Sequence, residues 1–273
     1  MYYFKRNRTL LGGAFTTAEL IFHAVVRSVR SQHHNAVLAI LINILQVLAL
    51  VAVFYTIMSF LGPRIARIRG EFILYLLSGV FLFLTHIRSV GIVSGVSVGG
   101  NPMMLHSPMN MMVMLLATAF GALYTQVVTI IVILFLYSVT VAPLEIQDPG
   151  GAFAMLILAW FTGCSVGVVF MALKPWLPTV STILNNIYRR LNMIFSGKMF
   201  VANALGGATL AMFAWNPLFH IIDQCRGFVF RNYYPRNTSW EYALWVGLAL
   251  LLIGLLGIFF SRQHVSQSWS ARR

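Results

Sequence analysis

The chain has 273 residues, of which 59% are hydrophobic and 9% charged. A soluble domain carries roughly 45–50% apolar and about 25% charged residues, so an ordinary soluble globule is excluded and the chain belongs in a membrane. Its net charge of +13, from 19 Lys and Arg against 6 Asp and Glu, is scattered between apolar runs without a basic stripe, which argues against nucleic acid and for anionic head groups or an anionic substrate.

The N-terminal MYYFKRNRTLLGGAF has charges but only a brief apolar run after them, unlike a cleavable signal peptide. Residues 10–31 are amphipathic: Leu20, Ile21, Ala24, Val25 and Val29 recur at helical spacing while Arg27 and Arg30 lie on the other side, predicting a helix on the membrane surface. At about 20 apolar residues per crossing, the first crossing runs from Ala36 to Leu61, ended by Gly62 and Pro63, and the second from about Phe72 to Val93. The third runs from about Met111 to Val141; the acidic turn PLEIQDPGG (143–151) leads into a fourth that ends at Leu173. KPWLP (174–178) introduces a fifth from Thr179 to about Phe200, and Trp240 to Phe260 is the sixth. The expected fold is an all-α integral membrane protein with six transmembrane helices over 36–261, preceded by a tail and interface helix (1–35) and followed by a tail (262–273). Lys5, Arg6, Arg8, Arg27 and Arg30 before the first crossing, and Arg262, Arg272 and Arg273 after the last, predict both termini cytoplasmic. Arg64, Arg67 and Arg69 oppose this from a loop that would face outward, and the two termini outvote them.

The fifth crossing carries a polar stripe. At about 100° per residue Asn185, Arg189, Asn192 and Ser196 superpose, with Thr182 at the edge, while Arg190 points elsewhere, nearer Asn186. A helix starting at Thr179 puts Arg189 about 15 Å in, near the bilayer centre, where an ionised guanidinium costs at least about 2.5 kcal/mol and needs water or a partner. A crossing that begins later instead leaves both arginines at the interface, snorkelling into head groups. Asn185, Arg189, Arg190, Asn192, Ser196 and Lys198 are the candidate substrate-path residues.

Between the fifth and sixth crossings lie two apolar segments, 201–214 and 217–230, each about 21 Å long if helical and too short to span. Asn216 and Pro217 are a helix cap and first-turn proline, so the break falls at Trp215 and Asn216. The pair reads as a re-entrant hairpin (about 201–232), which lipid tolerates only when it is buried in protein or beside water. His220, Asp223 and Arg226 recur every three residues on one face, expected to meet water; the alternative is an amphipathic helix on the outer leaflet with a local Asp223–Arg226 pair. Trp215, Tyr233, Tyr234 and Trp240 would then stand at an outer rim, as sugar-stacking platforms or as plain interface anchors.

These residues together resemble a family. The surface helix, the six crossings, the proline-containing loop NPMMLHSPMN (101–110), SGKMF at 196–200 and above all WNPLFHIIDQCRGFVF (215–230) are similar to the membrane subunit of ABC-2 type polysaccharide exporters, the capsular group in particular. The basic, Gly- and Trp-containing stretch common in that family where surface helix meets first crossing is replaced here by RSQHHNAVLAILIN. The resemblance implies a homodimer in the bacterial inner membrane with a channel between the two copies, lined by crossings one and five. It also implies a lipid-linked polysaccharide as cargo and, as partners, a periplasmic co-polymerase and an outer-membrane exporter. ATP and Mg would sit on a separate ABC ATPase subunit, in keeping with the lack of a G-x-x-x-x-G-K-[ST] motif. Coupling to that ATPase falls to Asn101, Pro102, Leu105, His106 and Pro108, with Arg27 and Arg30. No cofactor, metal or catalytic residue is expected in this chain. Rival readings are a permease for an O-antigen-type glycan, a lipid or a drug, and a membrane-embedded glycan transferase built on His220 and Asp223.

Overall fold

The structure, a computed structural model, describes residues 18–26, 36–61, 72–96 and 111–270. Helix α1 covers 18–26, and α2 (Ala36–Leu61), α3 (Phe72–Gly95), α4 (Met111–Thr140), α5 (Pro149–Leu173) and α6 (Pro178–Phe195) follow. A 3-10 turn (Ala202–Ala204) and the short helices α7 (Gly207–Phe213) and α8 (Pro217–Val229) then lead to α9 (Trp240–Ser270). Regular structure among the described residues is helical throughout. Five of these helices, α2, α3, α4, α5 and α9, are long and apolar enough to cross a membrane; α6, with its polar stripe, is not among them.

The helix ends have local causes. Asp148 caps α5 by accepting from Gly151 N at 3.0 Å, with Pro149 in the first turn. Asn216 caps α8 in the same way, accepting from Leu218 N at 3.1 Å ahead of Pro217. The expected fifth crossing is shorter than its sequence suggested: α6 stops at Phe195, because Gly197 takes a left-handed φ of 69° that only glycine adopts without strain. In contrast, α9 continues to Ser270 through residues expected to form a tail; no Gly or Pro occurs between Ile258 and Ser270 to stop it.

The core is built around α3. Its residues from Leu74 to Ile87 are all buried, packed by α5, α4, α2 and α8. Small residues permit that density. A Cβ on Gly163 of α5 would come within 2.5 Å of the His86 carbonyl of α3, and one on Gly254 of α9 within 2.7 Å of Val168 of α5. The apolar side of α1 (Ile21, Ala24, Val25) packs on Val113 and Ala117 of α4. Arg27, Arg30, Arg64, Arg67, Arg69 and the loop bearing Asn101, Pro102, Leu105, His106 and Pro108 lie outside the described residues.

Candidate functional site

The stretch from α6 to the start of α9 is tied together by the side chains that the sequence singled out. Arg226 is fully buried and donates to three carbonyls of the turn after α6: Gly197 O (3.1 Å), Lys198 O (2.5 Å) and Phe200 O (2.6 Å). Its guanidinium lies 4.1 Å from the centre of the Tyr75 ring in α3. Asp223, equally buried, accepts from Ala202 N (3.0 Å), Tyr233 Oη (2.6 Å) and Thr238 Oγ1 (2.8 Å). Tyr233 is outside the helices, and its burial, with the Asp223 charge beside it, holds its hydroxyl well above the usual tyrosine range, so it stays a donor.

His220 closes the same knot. Its Nε2 faces Ala214 O at 2.8 Å, which can only accept, so Nε2 carries the proton and Nδ1 accepts from Ser239 N at 3.1 Å. Asn216 Nδ2 donates to Asn192 Oδ1 (3.0 Å) and Phe195 O (2.9 Å), fastening the start of α8 to α6.

The expectation that His220, Asp223 and Arg226 face water therefore fails. They are buried, each bonded to backbone, and among the described residues Asp223 and Arg226 form no ion pair with each other. The physical reason is that the turn at 197–202 leaves backbone donors and acceptors without helix partners, and buried groups of that kind must be satisfied. At the rim, Trp215 and Tyr234 are exposed, while Tyr233 is turned inward to Asp223. Tyr242 Oη donates to Trp215 O at 2.9 Å, tying the break to α9.

The polar stripe of α6 faces α3 of its own chain. Asn185 Nδ2 donates to Ser94 Oγ at 2.7 Å, and Asn192 and Ser196 are buried. Lys198 is buried too: its Nζ donates to Met193 O and stands 3.9 Å from the centre of the Phe83 ring. Arg189 and Arg190 remain exposed. Ile183, Leu184, Ile187, Leu191 and Ile194 of α6 are exposed as well, an apolar face left uncovered among the described residues.

Sequence reasoning missed two polar groups of α3. His86, fully buried, faces Ala159 O at 3.2 Å through Nδ1, which must therefore donate, so Nε2 accepts from Tyr188 Oη of α6 at 2.8 Å. Arg88 donates to Gln126 Oε1 of α4 (3.0 Å) and Gln46 Oε1 of α2 (2.6 Å). An ionisable residue inside a predicted crossing is a signal in itself, and the THIR at 85–88 carries two.

No protein-family model matches the chain. It is 29% identical over 107 residues to a protein of Escherichia coli named polysialic acid transport protein KpsM, and 28% identical over 107 residues to a second of the same name and organism. Each match covers 38% of this chain and 41% of the relative's length. The resemblance drawn from WNPLFHIIDQCRGFVF and the helix pattern thus stands beside a likeness, over part of the chain, to relatives named for polysialic acid transport.

Proposed function

We propose that this chain is the membrane subunit of an ATP-binding-cassette exporter that moves a lipid-linked, acidic capsular polysaccharide across the bacterial inner membrane. The observation that carries the reading is the coincidence of five long apolar helices with a 107-residue likeness to relatives named for polysialic acid transport. In this reading α6 is a sixth crossing shielded by a second copy, α7 and α8 are the re-entrant pair, and both termini are cytoplasmic. The apolar faces that α2 and α6 leave exposed suit a homodimer whose channel runs between the copies. A separate ATPase dimer supplies ATP and Mg, reached through the segment containing Asn101, Pro102, Leu105, His106 and Pro108. A periplasmic co-polymerase and an outer-membrane exporter complete the route.

The transferase alternative is weakened by the site itself. Both ring nitrogens of His220 and both oxygens of Asp223 are engaged in structural hydrogen bonds, which leaves no free acid or base pair. Deleting the chain in its native host tests the proposal: acidic polymer accumulates inside the cell and is lost from the surface, and an ATPase subunit co-purifies with the tagged chain. Unchanged surface glycan, or loss of polymer synthesis rather than export, overturns it.

A further inference from the structure

Helix α3 is enclosed on every side but one. Between Leu74 and Ser94 its residues that keep exposure are Arg88, Gly91 and Ile92, and Gly95 follows at its end. The offsets of three, four and seven put these four on one stripe of the helix. Helix α2 packs on α3 and α4, and α6 on α3 and α5, so the stripe is the floor of an opening between α2 and α6.

Two cations border that stripe. Arg88 stands seven residues before Gly95, about 10 Å along the helix from that end. The Arg189 guanidinium of α6 reaches over Gly91, with Nη1 3.8 Å from where a Cβ would stand. Positions 88 and 91 are one turn apart, so their Cβ positions are about 5–6 Å from each other.

Neither arginine has a carboxylate within ion-pair distance among the described residues. The acceptors that Arg88 does have, Gln46 and Gln126, are neutral. Beside them two buried atoms lack partners: Gln126 Nε2, a donor, and Asn185 Oδ1, an acceptor. An acidic sugar, with a carboxylate, supplies the opposite charge that both arginines lack.

We propose that the opening between α2 and α6 binds an acidic group of the cargo between Arg88 and Arg189, with Gln46 and Gln126 positioning Arg88. The proposal rests on the exporter reading and adds Arg88, Gln46 and Gln126 to its path. A lipid phosphate shares the charge, and the test separates the two sources.

The full-length chain is placed in nanodiscs of phosphatidylcholine and, separately, of phosphatidylglycerol. The probe is a fluorescent acidic oligosaccharide cut from the host's own surface polymer, with a neutral oligosaccharide of equal length as control. Gln126→Glu is the decisive variant: it keeps an acceptor for Arg88 while lodging a competing negative charge. The expected result is acidic binding by the wild type in both lipids, weakened about tenfold or more by Gln126→Glu and by Arg88→Gln. Arg88→Lys retains part of the binding, Gln126→Glu melts at or above the wild-type temperature, and its export falls in parallel.

Wild-type binding and export by Gln126→Glu, or no wild-type binding of the probe, overturns the site. So does a dependence on Arg88 that appears for retained phosphatidylglycerol and not for the oligosaccharide. A host whose wild-type chain exports normally while Gln126→Glu exports equally loses this site alone; a host whose deletion leaves export intact loses the exporter reading.

Discussion

At the residue scale, Arg226 and Asp223 act as fasteners of backbone. Lys at 226 keeps the charge but has no planar fork to reach Gly197, Lys198 and Phe200 together. Arg226→Lys is therefore expected to lose about 2–3 kcal/mol, read as a lower melting temperature of the purified chain. Tyr233→Phe removes one bond to Asp223 and is expected to lose about 1 kcal/mol. Its pH signature is distinctive. The folded Tyr233 hydroxyl titrates above its unfolded value, owing to burial and the Asp223 charge. The stability it adds is fully present below about pH 10 and is lost as pH rises further, so the Phe variant lacks that alkaline loss. Equal alkaline slopes in a urea titration of both proteins would refute the assignment.

At the element scale the decisive piece is the turn after α6. Gly197 adopts a φ of 69°, and a Cβ there would overlap the Phe219 ring of α8. Gly197→Ala is expected to destabilise by about 1–3 kcal/mol, whereas Gly206→Ala, with Thr209 Oγ1 at 3.8 Å as its nearest neighbour, should be close to neutral. A chemical melt of the two variants side by side checks the contrast. The polar links that hold α6 to the body include His86 to Tyr188, Asn185 to Ser94, Ser181 to Phe170 O, and Asn216 to Asn192 and Phe195 O. Tyr188→Phe cuts one of them and should speed amide hydrogen exchange in α6 while α3 and α5 stay protected; uniform exchange across all three would count against a separately held helix.

At the scale of the whole molecule, α3, α5 and α8 form the buried centre, and α2 and α6 present apolar faces outward, as do α4 and α9. Leu41 and Leu45 of α2 and Ile187 and Leu191 of α6 are about half exposed, and Arg189 is exposed on the same helix as the latter pair. In the dimer reading, single cysteines at Leu45 or Ile187, in a chain without Cys164 and Cys225, cross-link two copies in native membranes. A cysteine at Leu252 of α9, exposed in this chain, should not. Cross-linking at Leu252 with none at the other two positions would remove the proposed seam.

Sequence alone determined the helical character, the apolar run that forms α2 (Ala36–Leu61), the cap at Asn216 and the break before α8, whereas the cap at Asp148 emerged only in the structure. The legible features follow from apolar run length and from Pro and Asn chemistry, which act within a few residues. Tertiary structure decided what the polar residues are for. The spacing of His220, Asp223 and Arg226 looks the same whether the face meets water or a neighbouring turn, and only the approach of 197–202 turned it inward. Likewise, an arginine within an apolar run reads as one more snorkelling cation. It takes the burial of α3 around Arg88, and its bonds to Gln46 and Gln126, to show where that charge sits. Long-range packing sets the environment of a charge, and periodicity carries no information about it.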